Sequence, residues 1–553
     1  MTNKEIANTF QLLGKIMELH GENKFKIRSY QNAYITIRKL PESLSEMSAE
    51  EISAIKGVGK AIAGKIQELL EHGEMATLER YKTETPPGIL EMMDIKGFGP
   101  KKIEVIWKEL GVESIGELLY AVNENRLIEL KGFGKKTQDD LGEKLAYFQK
   151  SKGFYHYAVL YEAYEVLLPQ LKAMLPEESL ISSTGKFRRK PNTHDRIEFL
   201  VAAEGDLATL LKDYFPSIQK MDDGQLFFTT PEEGLPVYLT QCDAKSFSTL
   251  LFHGSAAPEF ISGLNDRVSK TQNQQFLNEE AIFESLELPY LDPELRESPW
   301  ALEAFSLQNP PNLIKPKDIK GVVHSHSTWS DGINTLKEMA IHTQKQGYEY
   351  LVMSDHSKSA FYANGLSRER VLAQFQEIET LNKELAPFRI FKGIESDILN
   401  DGSLDYEEDI LQQFDVIIAS VHSNLRMDEA KATQRIIGAI ENPYTHILGH
   451  PTGRLLLSRK AYPLDHKKIL DACAANGVHV ELNANPYRLD LDWTWIPYAL
   501  EKGIQISINP DAHSIAGIKH IRYGVFAARK GGLSASNCLN AKNLAEFSKV
   551  IQK

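Results

Sequence analysis

Cysteine is scarce: three in 553 residues, at positions 242, 473 and 538, with no CxxC spacing. That excludes a disulfide framework and a thiolate zinc site, and points to a reducing compartment. No apolar run reaches the roughly 20 residues needed to span a bilayer. The opening stretch, MTNKEIANTF, lacks the apolar core of a secretory signal, so a cytoplasmic location is expected. An excess of positive charge is also missing. The formal net charge is −12, which rules out a uniformly basic surface but not local basic patches. A single hydrophobic core is excluded by length, and three or more domains are expected.

What is present in the first third is a phrase repeated three times. Ile55-Lys56-Gly57-Val58-Gly59-Lys60 returns as Ile95-Lys96-Gly97-Phe98-Gly99-Pro100-Lys101 and as Leu130-Lys131-Gly132-Phe133-Gly134-Lys135. Helical patterns such as AIAGKIQELL and KKIEVIWKEL flank each copy, which predicts helix, glycine hairpin, helix. Paired glycines permit a tight turn and close backbone approach. They leave amides at the start of the second helix, where the helix dipole favours an anion. With Lys60, Lys101 and Lys135 alongside, the unit suits a DNA phosphate and carries no base readout. One copy would be explained by helix capping alone; three copies of the same grammar favour binding to the DNA backbone. The arrangement resembles the helix-hairpin-helix motif of DNA repair proteins.

From about residue 153 to 300, strand-like runs (IEFLVAAE, QLFFTT, PVYLTQC) stand between helices. A proline-bearing stretch from Gln308 to Lys317 reads as a linker. Beyond Ile319, short apolar strands alternate with helices: GVVHSH, YLVMSDH, RIFKGIESDI, VIIASVH, HILGH, VHVELNA and ISINPDAH. Such alternation predicts parallel strands covered by helices, with a closed barrel plausible.

Eleven of the 16 histidines lie between His324 and His520, and most share one kind of position. His324, His326 and Asp331 follow the first strand of this region. His356, Glu395, His422 and His450 follow later strands, and Asp511 and His513 follow ISINP. In a β/α barrel the C-terminal strand ends converge on one face, where active sites are built. Any single histidine there could be a core residue; nine ionisable groups together would be costly to bury without compensating cations. Imidazole with carboxylate and no thiolate suits Zn²⁺, Mn²⁺ or Fe²⁺, and nine ligands suit two or three ions. Arg454, in His450-Pro451-Thr452-Gly453-Arg454, fits a phosphate clamp or a structural salt bridge equally well.

The motifs HSHSTWSDG, SDHS, GIESDI, SVHS, GHPTGR and PDAH closely resemble those of the PHP (polymerase and histidinol phosphatase) domain. All nine positions that bind metal in that family are matched. The hairpin region and the middle segment resemble the rest of a bacterial family X DNA polymerase, so the resemblance covers essentially the whole chain. It implies a multidomain α and α/β protein. Residues 1–85 would form a helical domain with the first hairpin, and 86–152 a fingers-like hairpin region. Residues 153–305 would form palm and thumb and 306–318 a linker, with 319–553 a distorted (β/α)₇ PHP barrel holding a trinuclear site. It further implies a manganese-stimulated 3′–5′ exonuclease, or related 3′-end or abasic-site processing, in base excision repair. Gapped, nicked or abasic DNA would be the partner of a monomeric, nucleoid-associated protein.

The palm departs from its family. The family pattern is Gly-Ser-x-Arg-Arg, then Gly-Asp-x-Asp, then a third Asp. Here the first element reads Gly185-Lys186-Phe187-Arg188-Arg189, Arg196 and Glu198 take the first two aspartate positions, and the third falls at or near Tyr238. Asp195, one residue out of phase on a strand, would face away. Two-metal nucleotidyl transfer needs clustered carboxylates, so loss of polymerase activity is expected. The alternatives are a working gap-filling polymerase with an attached nuclease, a PHP phosphatase acting on a small phosphomonoester, and a non-catalytic DNA-binding adaptor. Lys65 matches the Schiff-base lysine of the 5′-deoxyribose-phosphate lyase of related enzymes, or is simply solvated. The basic and aromatic stretch NKFKIRSYQNAY either lines a DNA groove or is an exposed helix face.

Overall fold

The computed structural model describes residues 1–553 except 41, 96, 97, 129, 131, 151, 152, 272, 273 and 553, and except the side chains of 143 and 146–150. The chain divides into two compact units, Met1–Phe148 and Gln149–Lys553.

The first unit is helical. Helix α1 (Asn3–Leu19) opens on a capping box between Thr2 and Glu5 and buries Ile6, Phe10, Leu13 and Met17, the spacing of one helix face. It packs on α2 (Lys24–Arg38) through Phe10 and Tyr30, ring centroids 6.0 Å apart. The stretch NKFKIRSYQNAY is this second helix. It buries Ile27, Tyr30 and Ala33 and leaves Phe25 exposed.

The three hairpins follow one plan. The first joins α3 (Ala49–Ala54) to α4 (Lys60–His72), and α5 (Ala76–Glu84) follows. The second joins α6 (Pro87–Met92) to α7 (Pro100–Leu110), and the third lies between α8 (Ile115–Asn123) and α9 (Lys135–Lys150). In each, the residue between the glycines is buried and donates its N–H three residues back, from Val58 to Ile55, Phe98 to Ile95 and Phe133 to Leu130. Gly57 and Gly132 take φ of +94° and +91°, which glycine alone adopts without strain. Gly59 and Gly99 begin α4 and α7 with no side-chain cap.

In the second unit, strands β1 (Tyr155–His156) and β3 (Thr193–His194) pair beside helix α10 (Tyr157–Met174). A five-stranded sheet is formed by β2 (Leu180–Ser183), β4 (Ile197–Ala202), β5 (Gln219–Lys220), β6 (Leu226–Thr229) and β7 (Pro236–Cys242), in the order β2-β4-β7-β6-β5. The short helix α11 (Gly185–Arg188) crosses its end. The proline-bearing segment is packed rather than loose: Ile314 is buried and its N–H donates to Leu533.

Seven strands make the barrel, all paired in parallel: β8 (Gly321–Val322), β9 (Tyr350–Met353), β10 (Arg389–Asp397), β11 (Val416–Ser420), β12 (Ile447–Leu448), β13 (His479–Asn483) and β14 (Ile506–Asn509). All seven coincide with apolar runs read from the sequence. The seam between β8 and β14 is closed by a single backbone bridge, Ser325 to Ala512, and by an asparagine. The buried side chain of Asn540 takes both backbone groups of Ile508 and donates to Gly321, while its own carbonyl accepts from Lys320. Gly321 is required here, since a Cβ would fall 1.9 Å from the Tyr350 ring.

Side chains alternate across each strand. At one end the inward set is apolar, with Val323, Tyr350, Val352, Phe391, Val416, Ile418 and Ile447 sealed by Leu539 and Phe547 of the C-terminal segment. Two and four residues further along the same faces stand Ser354 and His356, Glu395, Ser420 and His422. A strand register that fills the floor with hydrocarbon thus fills the mouth with polar groups.

Candidate metal centre

Eight of the nine predicted ligands sit just beyond their strands, and Glu395 lies within β10. Of the nine, eight are buried, none of these more than 8% exposed, and His422 is half-buried. They converge on Glu395. Its Oε1 lies 2.9 Å from His450 Nε2, 3.1 Å from His422 Nε2 and 3.3 Å from His324 Nε2, and its Oε2 is 3.0 Å from His356 Nδ1. Three sets bring their ligand atoms within 4.8 Å of one another: His326, Asp331, His356 and His513; His324, His326 and Asp511; and His356, Glu395 and His422. His450 belongs to none of these sets but shares Glu395 with the third.

The backbone is bent to make this possible. His324 and Asp511 both adopt left-handed φ, +64° and +51°, uncommon for non-glycine residues and concentrated at functional sites. They occur where β8 and β14 meet, His326 N–H donating to Ala512 O at 2.9 Å.

Several rings are locked through their far nitrogen. Glu481 on β13 takes His324 Nδ1 at 2.6 Å, Asp397 on β10 takes His422 Nδ1 at 2.5 Å, and the Asp511 carbonyl takes His513 Nδ1 at 3.1 Å. Each leaves Nε2 aimed into the bowl, which is how ligating histidines are oriented. A further carboxylate, Asp355, gathers the loop after β8, accepting from the backbone and hydroxyls of Ser327 and Ser330 and from Gln374. Glu481, Asp397 and Asp355 are absent from the ligand set read from sequence. A signal exists for each: a glutamate inside an apolar strand, an aspartate two residues after Glu395 on the same face, and an aspartate directly before His356.

Burial opposes charge on Glu395, Asp331, Asp511, His324, His326, His422 and His450, and their mutual fields decide the outcome. Burial would raise Glu395, Asp331 and Asp511, yet the neighbouring histidines hold all three well below the usual carboxylate range. Burial would lower His422, yet Glu395 and Asp397 push it up to about 9. His324 is likewise held high by Glu481, Asp511 and Glu395 against its burial. Burial leaves His326 and His450 below the ordinary imidazole value. The carboxylates therefore stay ionised in the bowl.

Divalent cations fit this donor set. His324 Nε2, His326 Nδ1, both nitrogens of His356, Glu395 Oε2 and His450 Nδ1 are buried without a hydrogen bond in good geometry, a costly state for so many polar atoms in one place. Hard carboxylate and borderline imidazole donors together suit such ions.

Arg454 is engaged in a salt bridge. Its guanidinium bonds Asp492 and Leu489 O, and its Nε donates to Arg488 O at 3.0 Å. Lys65 is half-buried on α4 and its ammonium donates to the Thr77 hydroxyl. The hairpin positions Gly57, Gly59, Lys60, Gly99, Lys101, Gly132, Gly134 and Lys135 are all exposed; Gly97 lies outside the described residues.

The divergent palm positions meet in one patch. Glu198 and Tyr238 are register partners in β4 and β7, and the Arg196 guanidinium lies 4.7 Å over the Tyr238 ring and 3.5 Å from Glu198 Oε1. Glu198 is turned back onto α11, accepting Phe187 N–H at 3.2 Å, with its carboxylate filling the space a Cβ on Gly185 would need. The expectation for Asp195 needs correction. Strand β4 begins at Ile197, so Asp195 lies in the bend before it, where alternation does not apply. Its Oδ1 is 3.1 Å from His194 Nδ1, and His194 Nε2 meets Glu198 at 2.9 Å. One histidine thus bridges two carboxylates. Arg188 and Arg189 are also occupied, by Glu279 and Glu297.

The N-terminal sequence matches family models for a helix-hairpin-helix domain over residues 1–75 and a SAM-like helix-hairpin-helix tandem over 89–145. Among curated proteins, the DNA polymerase/3′-5′ exonuclease PolX of Bacillus subtilis (strain 168) is 32% identical over 577 aligned residues, covering all of both chains. A probable phosphatase of Thermoanaerobacter sp. (strain X514) is 27% identical over 228 residues, 39% of this chain and 88% of its own. Another, of Caldanaerobacter subterraneus subsp. tengcongensis, is 25% identical over 201 residues, 34% of this chain and 74% of its own. Helix-hairpin-helix units and a seven-stranded parallel barrel with a histidine–carboxylate bowl define a PHP-bearing enzyme. The chain belongs to the PolX family.

Proposed function

We propose that this protein is a metal-dependent phosphodiesterase that shortens or processes DNA from 3′ ends and no longer extends them. The observation that carries the proposal is the three overlapping ligand sets at the mouth of the barrel, the first sharing His326 with the second and His356 with the third. In this reading His324, His326, Asp331, His356, Glu395, His422, His450, Asp511 and His513 hold two or three divalent ions, manganese being the expected activator. Bound there, such ions polarise a phosphoryl oxygen and lower the pKa of a water for in-line attack. The chain's own share is to keep the carboxylates ionised, to fix the imidazoles through Glu481 and Asp397, and to exclude bulk water from the buried floor. The exposed hairpins of the first unit supply sequence-independent contacts to the DNA backbone. The whole-length PolX relative carries a 3′-5′ exonuclease in its name, which supports the polarity.

Loss of extension rests on the palm. A guanidinium stands beside Glu198, Tyr238 replaces a carboxylate, and Asp195 and Glu198 are both engaged by His194. Cation sites for a nucleoside triphosphate would have to displace these pairs.

The test is a 5′-labelled primer on a gapped template with Mn²⁺, with and without nucleoside triphosphates, beside His324→Ala/His326→Ala. Shortening that the variant lacks and triphosphates do not alter is expected. Extension would overturn the palm reading, and no shortening would overturn the nuclease.

A further inference from the structure

Phe361 is 88% exposed, although its loop is tied down at several points. The loop leaves β9 directly after His356 and returns at Leu366, whose N–H donates to His356 O at 2.9 Å. Ala360, Ala363 and Leu366 are buried within it. Ser359 donates its N–H to Asp405 at 2.6 Å and its hydroxyl at 2.7 Å to Asp397, the carboxylate that holds His422. A Cβ at Gly365 would fall 1.9 Å from Ser357 O, so the chain is closed as tightly as backbone permits. Tyr362 turns toward the bowl, its ring 6.2 Å from that of His356. An aromatic that could contribute about 1.5–3 kcal/mol by burial is instead held in solvent on a fixed loop beside the metal ligands.

A second exposed apolar residue stands on the neighbouring loop. Ile333 is 56% exposed, two residues after Asp331, and its N–H donates to His513 O at 2.9 Å. Both loops are tied by Arg370, which donates to Trp329 O on one and to Asn364 O, at 2.8 Å, and Gly365 O on the other. Phe361 and Ile333 therefore stand exposed on two cross-tied loops, one following His356 and the other following Asp331, both members of the set formed by His326, Asp331, His356 and His513. Lys358, in the same loop as Phe361, is exposed.

We propose that Phe361 and Ile333 form a clamp for a nucleobase of the strand whose phosphodiester enters the bowl, Phe361 stacking on the base and Lys358 meeting a flanking phosphate. This rests on the phosphodiesterase reading and names its substrate: an unpaired terminal nucleotide, held by its π-face and thus without base preference. Stacking a base on an aromatic side chain contributes about 1–3 kcal/mol, and every base offers the same face. A site that only hydrolysed small phosphomonoesters would have no use for a rigid apolar rim.

The experiment compares wild type, Phe361→Ala and Phe361→Trp, all full length, on short single strands. One strand ends in the fluorescent base 2-aminopurine and the other in an abasic residue. Wild type and Phe361→Trp should quench the terminal base on binding, and Phe361→Ala should not. In the cleavage arm with Mn²⁺, Phe361→Ala should raise KM roughly tenfold for the base-bearing end, leave it unchanged for the abasic end and leave kcat intact. Quenching and KM in Phe361→Ala equal to wild type would overturn the clamp, as would a variant that changed only self-association. Cleavage of neither strand by wild type would instead overturn the phosphodiesterase reading, while the fluorescence arm still decides the clamp.

Discussion

Oε2 of Glu481 lies 2.6 Å from Nδ1 of His324, and both side chains are fully buried. The same carboxylate accepts the His450 backbone N–H at 3.0 Å and the amides of Asn483, at 3.0 Å, and Asn509, at 2.7 Å. With that many donors on it, Glu481 is a fixed post rather than a mobile ligand. Strand β13, which supplies no predicted ligand, thereby sets the direction of a ring on β8, across the closed seam.

Removing that post should therefore act on metal affinity. Replacing such an outer carboxylate typically costs 10- to 100-fold. Glu481→Ala is expected to weaken divalent-ion binding in that range, and Glu481→Gln less, because the amide oxygen can still accept from His324. Metal titration followed by calorimetry reads this directly. Wild-type affinity in Glu481→Ala, with the fold intact by circular dichroism, would mean that His324 is oriented without it.

Metal removal should lower the stability of the second unit and spare the first. The bowl gathers ionised carboxylates and unsatisfied imidazole nitrogens that only cations satisfy. An ion that binds the folded state alone stabilises by about 2.7 kcal/mol at 100 times its Kd. Scanning calorimetry with chelator, then with Mn²⁺ or Zn²⁺ restored, should show one transition moving by several degrees and the other unmoved. Asp331→Asn/His513→Ala should shrink the shift. A melting profile indifferent to chelator would leave the bowl without a resident ion.

Most of this architecture was legible in the sequence, for a reason visible at β10. Arg-Ile-Phe-Lys-Gly-Ile-Glu carries the strand's apolar alternation and its functional carboxylate in one run, so pattern and chemistry point to the same place. The hairpins were legible because only glycine adopts the φ of Gly57 and Gly132. Asp195 was misplaced because alternation holds only inside a strand, and where β4 begins is set by the pairing of β3 with β1 rather than by local sequence. Glu481 and Asp397 were missed because their role depends on which ring each one faces, a relation between strands that no single segment encodes. The three-way pairing of Arg188, Arg189 and Lys190 with Glu279, Glu297 and Glu294 is likewise a product of tertiary contact.

The joint between the five-stranded region and the barrel should be acid-sensitive. His156 packs on Tyr487, ring centroids 4.3 Å apart, with Nε2 3.2 Å from Leu456 O, and burial pushes its pKa down to about 4. Unfolding returns it to 6.5, so the unfolded chain takes up a proton first and stability falls as pH drops from about 6.5 toward 4. Glu294 follows at lower pH. Burial would raise it, but Lys190 and Arg529 hold it at about 2 against an ordinary 4.5, so its contribution is complete above 4.5 and lost below. Each group accounts for on the order of 3 kcal/mol across its window. Denaturant midpoints should fall steadily from neutral pH to pH 4, and His156→Phe should flatten the upper part of that slope. A wild-type midpoint constant over this range would remove the assignment.

Hairpin contacts to DNA should be visible in the salt dependence of binding. Lys60, Lys101 and Lys135 occupy equivalent exposed positions at or just after the second helix start of each hairpin. Each phosphate neutralised on duplex DNA contributes about −0.9 to the slope of log K against log salt. Converting all three lysines to alanine should reduce that slope by close to three units and weaken binding to unrelated sequences alike, because no base edge is read. The melting temperature should not change, since the side chains are solvated. Anisotropy titrations on two duplexes of different sequence, between about 50 and 200 mM salt, measure this. A slope unchanged in the triple variant would assign the DNA contacts elsewhere. A loss confined to one sequence would mean that the hairpins read bases after all.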